Sequence, residues 1–303
     1  MISFIQKSLL KLPYVGRKLK ILDDCGYLPG HYYSPIPNLE EIRNRRATIF
    51  KRSGIDPKGI ELRKEEQFAL LEKFSEYYKE LPYDFSTNSR GKTRYQVNGD
   101  WYKYSDAIML YSMMRHFKPN RIVEAGSGYS SAIMLDTNDL FLNSNTSITF
   151  IDPYPERLLS LLKAEDKQKH TIVRSIIQDT DIEIFKKLES NDILFIDSSH
   201  ISKVGSDLNY ILFEILPVLK SGVLIHFHDI FYPFELPEKW ILERKWFWNE
   251  NYILRAYLTE NKRYDIVNFN TYLHAEYRKW FSEHMPACLI EEEGTGSIWI
   301  RKN

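Results

Sequence analysis

The chain has 303 residues, 43% of them hydrophobic and 27% charged, a balance that excludes a disordered, collagen-like or disulfide-stapled protein and fits one large domain or two small ones. Its 41 basic residues cancel its 41 acidic ones, so the basic excess of a nucleic-acid binder is missing. Two cysteines far apart, Cys25 and Cys288, offer neither a disulfide framework nor a cysteine zinc site, and with no apolar run near ~18 residues a cytoplasmic location is expected.

The N-terminus interleaves Ile2, Phe4, Ile5, Leu9, Leu10 and Leu12 with Lys7, Lys11, Arg17, Lys18 and Lys20. Lysines interrupt its apolar part and no small-residue cleavage site follows, so it is not read as a signal peptide. It is an amphipathic stretch whose length Pro13 limits, expected to dock on the protein's own surface rather than on a membrane. A turn-rich segment holding His31 follows, and helical periodicity then runs over 39–50 and 64–81. Residues 1–95 are thus expected to form a helical, turn-rich extension, and residues 96–303 a second domain with its core at 106–230.

That core alternates short β-branched runs with amphipathic stretches. Strands are predicted at 121–125, 147–152, 171–177, 192–197 and 223–228. The clearest helix is predicted over 203–219, where Leu208, Ile211, Leu212, Ile215, Leu216 and Leu219 form one stripe. This is an α/β pattern, a doubly wound, mostly parallel Rossmann-like sheet with right-handed crossovers. Beyond Asp229 a Trp- and Tyr-rich helical stretch precedes further strands at 264–268 and 297–301.

The first strand runs into Gly126-Ser-Gly128-Tyr-Ser-Ser131 and then a helix, a turn that lets a ligand approach the backbone and the helix N-terminus. A dinucleotide loop wants a third glycine where Ser131 stands. Glu124, two residues before Gly126, would repel a pyrophosphate and attract an ammonium or sulfonium instead. S-adenosylmethionine carries both cations and no phosphate. At the end of the second strand, Asp152 can accept from both ribose hydroxyls of an adenosine. Asp179 either faces the adenine or caps a helix over 182–188.

The run from Asp106 to Ser131, with Arg121-Ile-Val-Glu-Ala-Gly-Ser-Gly128 at its heart, resembles class I S-adenosylmethionine-dependent methyltransferases. More narrowly it is similar to the bacterial macrocin- and mycinamicin-type sugar O-methyltransferases. The resemblance implies a seven-stranded sheet closed at one edge by an antiparallel pair, here 264–268 and 297–301, and cofactor contacts from Glu124, Gly126, Ser127, Gly128 and Asp152.

Strand four ends in Asp197-Ser-Ser-His200 and strand five in His226-Phe-His228-Asp229. Parallel strands bring these ends to one edge, where ligands bind. His200 is then the candidate base that removes an acceptor hydroxyl's proton, with Asp197 beside it. Asp197 and Asp229 can also hold a divalent metal, Mg²⁺ or Mn²⁺. In the resembled family an Asp-x-x-His motif supplies one metal ligand and the base, and an acidic pair supplies the remaining ligands. Asp197 and His200 match, whereas His228 replaces one carboxylate, which leaves metal dependence open. His226 reads as a hydrogen-bonded core histidine, and Phe231, Tyr232, Phe234 and Trp240 either cover a substrate or pack the C-terminal helices.

The expectation is an O-methyltransferase using S-adenosylmethionine on a small hydroxylated acceptor such as a sugar unit, with no nucleic-acid or membrane partner and homo-oligomerisation left open. Its rivals are a non-methylating ligand binder of the same fold and an NAD-dependent oxidoreductase.

Overall fold

A computed structural model describes residues 12–51, 55–83, 85, 93–96, 101–102, 104–290 and 295–303. The stretch from Ile2 to Leu10 and Gly294 lie outside them. The chain divides into two compact units, one of Met1–Lys51 with Glu238–Phe247, the other of Arg52–Pro237 with Trp248–Asn303. The helix predicted over 64–81 therefore belongs to the same unit as the sheet.

In the first unit Pro13 opens the helix Pro13–Asp23, since the first helical position needs no N–H, and the preceding stretch whose length it is expected to limit lies outside the described residues. The stretch predicted as one helix over 39–50 is two, Leu39–Asn44 and Arg46–Ile49, broken where Arg45 leaves helical geometry. Asn38 caps the first of them through the amides of Glu40 and Glu41. The segment 238–247 brings a wide turn at Trp240–Arg244, where Arg244 lies over the rings of Trp240 and Trp246.

The second unit is built on a seven-stranded sheet of order β3-β2-β1-β4-β5-β7-β6. The strands are β1 Arg121–Ala125, β2 Ser147–Ile151, β3 Thr171–Val173, β4 Ile193–Ile196, β5 Leu224–His228, β6 Tyr264–Phe269 and β7 Ser297–Lys302. β1 to β5 pair in parallel, and β7 inserts antiparallel between β5 and β6. Every residue of β4 and β5 is buried, as helices on both faces of a parallel sheet require. This is the doubly wound, mostly parallel Rossmann-like sheet of seven strands that the sequence led us to expect.

Helix Lys64–Tyr78 packs Leu71 and Phe74, both fully buried, toward helix Tyr104–Phe117 and β6. Burying a Leu or Phe side chain stabilises by about 1.5–3 kcal/mol, so this helix is part of the core. The predicted third strand stops at Val173, because Ser175 turns the chain into a short 3₁₀ turn at Ile177–Asp179. The predicted 203–219 helix begins only at Asp207, where the Ser206 hydroxyl accepts from the Asn209 amide. It widens into a π-turn over Ile211–Ile215 just before Pro217, whose ring would clash with a carbonyl one turn earlier. Its apolar stripe is nonetheless buried throughout.

One buried ionic cluster fixes the approach to the first of these elements. The Arg94 guanidinium, almost wholly buried, pairs with Asp136, Asp139 and Asp166 at 2.9, 2.8 and 2.6 Å. Asp136 also accepts the main-chain amides of Arg94 and Tyr95. Beyond Gln96 the next described residues are Trp101 and Tyr102, and the Tyr102 ring stands at the carboxyl edge of the sheet, 5.0 Å from that of His228.

Candidate active site

Because β1, β2 and β4 run parallel, their carboxyl ends open together, and a cavity of about 440 Å³ lies there. It is bounded by Gly126 after β1, Asp152 after β2, Ile176 to Gln178 after β3, and Asp197 to Ser199 after β4. That size falls within the range of small-molecule sites.

Gly126 has φ +83°, a conformation glycine tolerates and side chains rarely adopt. The Asp152 carboxylate accepts from the Ser127 amide at 2.9 Å and its hydroxyl at 2.8 Å, and its other oxygen accepts from the Tyr154 amide. Asp152 thus holds the glycine loop while bordering the cavity. Gly128 donates its N–H to the Ser131 hydroxyl, and a Cβ there would approach the Arg157 side chain. The serine standing where a dinucleotide loop has glycine is therefore part of the loop's own bracing.

Glu124 is placed differently from the expected cofactor contact. It is fully buried behind the loop, does not border this cavity, and each carboxylate oxygen accepts from a serine hydroxyl, Ser130 and Ser131. Burial raises its pKa to about 8, against the opposing pull of those two hydrogen bonds. Asp179 is exposed and does not border the cavity, and the short helix Glu183–Lys186 has no side-chain cap from it. Its neighbour Gln178 does border the cavity, donating from Nε2 to the Gly205 carbonyl at 2.8 Å. Gln178 Oε1 and Ser198 Oγ are buried there and find no partner within the protein.

The acid and histidine cluster assembles as expected at the ends of β4 and β5. His200 Nε2 lies 3.4 Å from Asp197 Oδ1 and 3.6 Å from Asp229 Oδ2. On its other side Nδ1 meets Glu250 Oε2 at 2.8 Å, and the Trp248 ring lies 4.5 Å away. His200 and Asp229 both hold left-handed φ angles, +59° and +57°, which cost non-glycine residues about 1–3 kcal/mol and gather at functional sites.

Burial pushes the His200 pKa down, but hydrogen bonds to Asp197 and Glu250 and the Asp229 charge lift it well above its ordinary value. Burial likewise works to raise Asp197, yet His228 and His200 bring it down to about 2. Asp229 stays at about 6, raised by desolvation that its histidine neighbours only partly offset.

The expected metal set does not fit a divalent cation. Both Asp197 and Asp229 aim an oxygen at His200 Nε2, so the imidazole occupies the position a shared cation would take, and His228 Nε2 lies 3.6 Å from Asp229 Oδ1. Among the described residues no three His, Cys, Asp or Glu side chains are disposed as metal ligands.

His226 is a core histidine, as read, but it is not hydrogen-bonded. Its ring lies between Phe195 at 3.9 Å and Trp299 at 4.6 Å, both nitrogens lack partners, and burial holds it neutral. Phe231, Tyr232 and Phe234 are buried, and Tyr232 and Phe234 pack against Phe269 and Tyr272 rather than covering a ligand. Trp240 belongs to the other unit beside Trp246, and His31 there sits stacked on Tyr27 in an exposed turn. Glu250 and Gln178 were not anticipated. Glu250 lies fifty residues from the histidine it meets, with no local signal, and Gln178 was one position from the residue chosen.

Residues 123–230 match a family described as a methyltransferase domain. An uncharacterized protein of Archaeoglobus fulgidus is 38% identical over 168 residues, covering 54% of this chain and 75% of that protein. Among solved structures, the SAH-bound methyltransferase PaMTH1 of Podospora anserina is similar at 17% identity and TM-score 0.40, over 89% of this chain and 99% of that one. The O-methyltransferase TomG of Streptomyces achromogenes, in complex with SAM, is similar at 9% identity and TM-score 0.42, over 88% and 96%. No described helix is long and apolar enough to cross a membrane.

Proposed function

We propose that the protein transfers the methyl group of S-adenosylmethionine to a hydroxyl of a small acceptor such as a sugar unit; the chain belongs to one family with the archaeal protein, and its own residues 123–230 match a methyltransferase domain. The observation that carries this reading is the cavity at the carboxyl edge, with Asp152 at one wall and the unpartnered Gln178 Oε1 at another. In it Asp152 accepts from the ribose hydroxyls and Gln178 Oε1 accepts from the adenine amino group. Gly126 lets the cofactor lie against the backbone. Glu124 acts behind this surface, holding the glycine loop to the following helix through Ser130 and Ser131.

The transfer is an in-line displacement. The acceptor oxygen forms a bond to the methyl carbon as the carbon–sulfur bond breaks, leaving S-adenosylhomocysteine, and the hydroxyl proton passes to His200 Nε2. Asp197 and Asp229 hold that ring and stabilise the imidazolium produced. No metal takes part in this scheme.

Calorimetric titration with S-adenosylhomocysteine tests the cofactor. Micromolar binding, weakened by Asp152→Ala, is expected, and no binding at millimolar ligand to a folded sample would sink the reading. Conversion of S-adenosylmethionine against a panel of sugars, glycosides and phenols then tests the acceptor class.

A further inference from the structure

The residues following Trp248 touch both loops that carry the acid and histidine cluster. Asn249 and Glu250 donate their amides to the His200 carbonyl at 3.3 and 3.2 Å. The Asn249 side chain accepts from the Ser202 amide at 2.6 Å and donates to the Ser202 carbonyl at 3.1 Å. Two residues on, Asn251 donates to the Asp229 carbonyl and accepts from the Phe231 amide, each at 2.8 Å. Between them Glu250, 2% exposed, meets His200 Nδ1.

These bonds form a pattern rather than a scatter. Each asparagine closes a two-point bracket on one loop, Asn249 on the loop after β4 and Asn251 on the loop after β5. Three successive side chains at the start of helix Glu250–Leu258 thereby fix the two left-handed residues, His200 and Asp229, relative to each other. A helix start serves this well, because its first residues are rigid while their side chains splay to different sides.

We propose that 249–251 is the positioning element of the active site, and that Glu250 is the residue that fixes the His200 ring. In this proposal the Glu250 carboxylate is the acceptor, Nδ1 carries the proton toward it, and Nε2 is the nitrogen left to face the methyl acceptor. None of the three touches a reacting atom. The role assigned to Nε2 rests on the methyl-transfer reading above, whereas the fixed ring and braced loops can be measured without it.

The experiment is ¹⁵N-edited NMR of the histidine rings in the full chain, with the His200 signal assigned by its loss in His200→Gln. Spectra are taken with and without S-adenosylhomocysteine for wild type, Glu250→Gln and Glu250→Ala. Wild type should show a hydrogen-bonded Nδ1–H at His200. Glu250→Gln, which keeps an acceptor oxygen, should retain that proton signal, and Glu250→Ala should lose it to exchange. A residue that merely filled space would not separate these two variants. Amide exchange at Ser202 should quicken at least tenfold in Asn249→Ala, and at Phe231 in Asn251→Ala. A wild-type His200 with no proton on Nδ1 overturns the proposal even if no variant folds. So do identical spectra for Glu250→Gln and Glu250→Ala. Failure of every form to bind S-adenosylhomocysteine, with the Nδ1–H signal present, overturns the cofactor reading and leaves the positioning element standing.

Discussion

The main-chain carbonyl oxygen of Asp197 lies only 1.8 Å from where a side chain on Gly126 would begin. The glycine loop after β1 and the acidic loop after β4 are thus in direct backbone contact, and the cavity is shaped by that contact. Gly126→Ala must either push the two loops apart or unwind a residue at φ +83°. The left-handed strain alone is about 1–3 kcal/mol, and the overlap adds to it. Thermal unfolding should show a lower Tm, and titration should show weakened S-adenosylhomocysteine binding. A variant with unchanged Tm and affinity would mean that the loops are not in this register.

Glu124 makes a prediction about pH. Its folded pKa of about 8 lies above the ordinary 4.5, raised by burial against its serine hydrogen bonds. The stability of its neutral form is therefore fully present below the unfolded value and lost as pH rises through the folded one. Glu124→Gln keeps the shape and removes the titration. Between pH 5 and 8 the wild type should lose on the order of a few kcal/mol relative to the glutamine variant, at 1.36 kcal/mol per unit. Denaturant unfolding across that range checks it, and parallel curves would place Glu124 outside a buried site.

The sheet was legible because its strands announce themselves by composition. Ile-Leu-Phe-Ile in β4 and the alternation ending in Arg301 of β7 are apolar runs with polar stops, and parallel pairing brings their ends to one edge. The meeting of Asp197, His200 and Asp229 followed from that alone. What could not be read were contacts set by helices arriving from elsewhere. Glu250 reaches His200 because the chain folds back after β5, and no spacing rule encodes that. The surroundings of Glu124 were out of reach for a related reason: its full burial off the cavity wall, held by the hydroxyls of Ser130 and Ser131, is set by how the following helix packs. The metal set depended on His228 and on where the His200 ring turns, which is a matter of side-chain packing.

Gln178 and Asp179 provide a contrast of neighbours. Only Gln178 borders the cavity, and its unpartnered Oε1 is the acceptor assigned to the adenine amino group. Gln178→Ala should weaken S-adenosylhomocysteine binding roughly 5- to 13-fold, the loss of one hydrogen bond of about 1–1.5 kcal/mol. Asp179→Ala, at an exposed site, should bind like wild type. Inosine-containing analogues, which lack the amino group, should bind equally to wild type and Gln178→Ala. The reverse order of the two variants would restore Asp179 as the adenine contact.

His200 offers the sharpest test, because its charge state decides whether it can take a proton. Its neighbours hold the ring protonated above the ordinary histidine range, so at neutral pH part of the protein is in the form that cannot act as base. Turnover should therefore climb as pH rises through that raised value, while affinity for S-adenosylhomocysteine changes little. His200→Ala should lose about 10²- to 10⁴-fold in turnover, flatten this limb, and still bind the cofactor product. Because the imidazole fills the space between Asp197 and Asp229, a chelator such as EDTA should leave the wild-type rate unchanged. A rate abolished by EDTA and restored by Mn²⁺ would show that the ring swings aside for a cation. The proton would then leave the acceptor under the influence of a metal, and the same pH limb would belong to a different group.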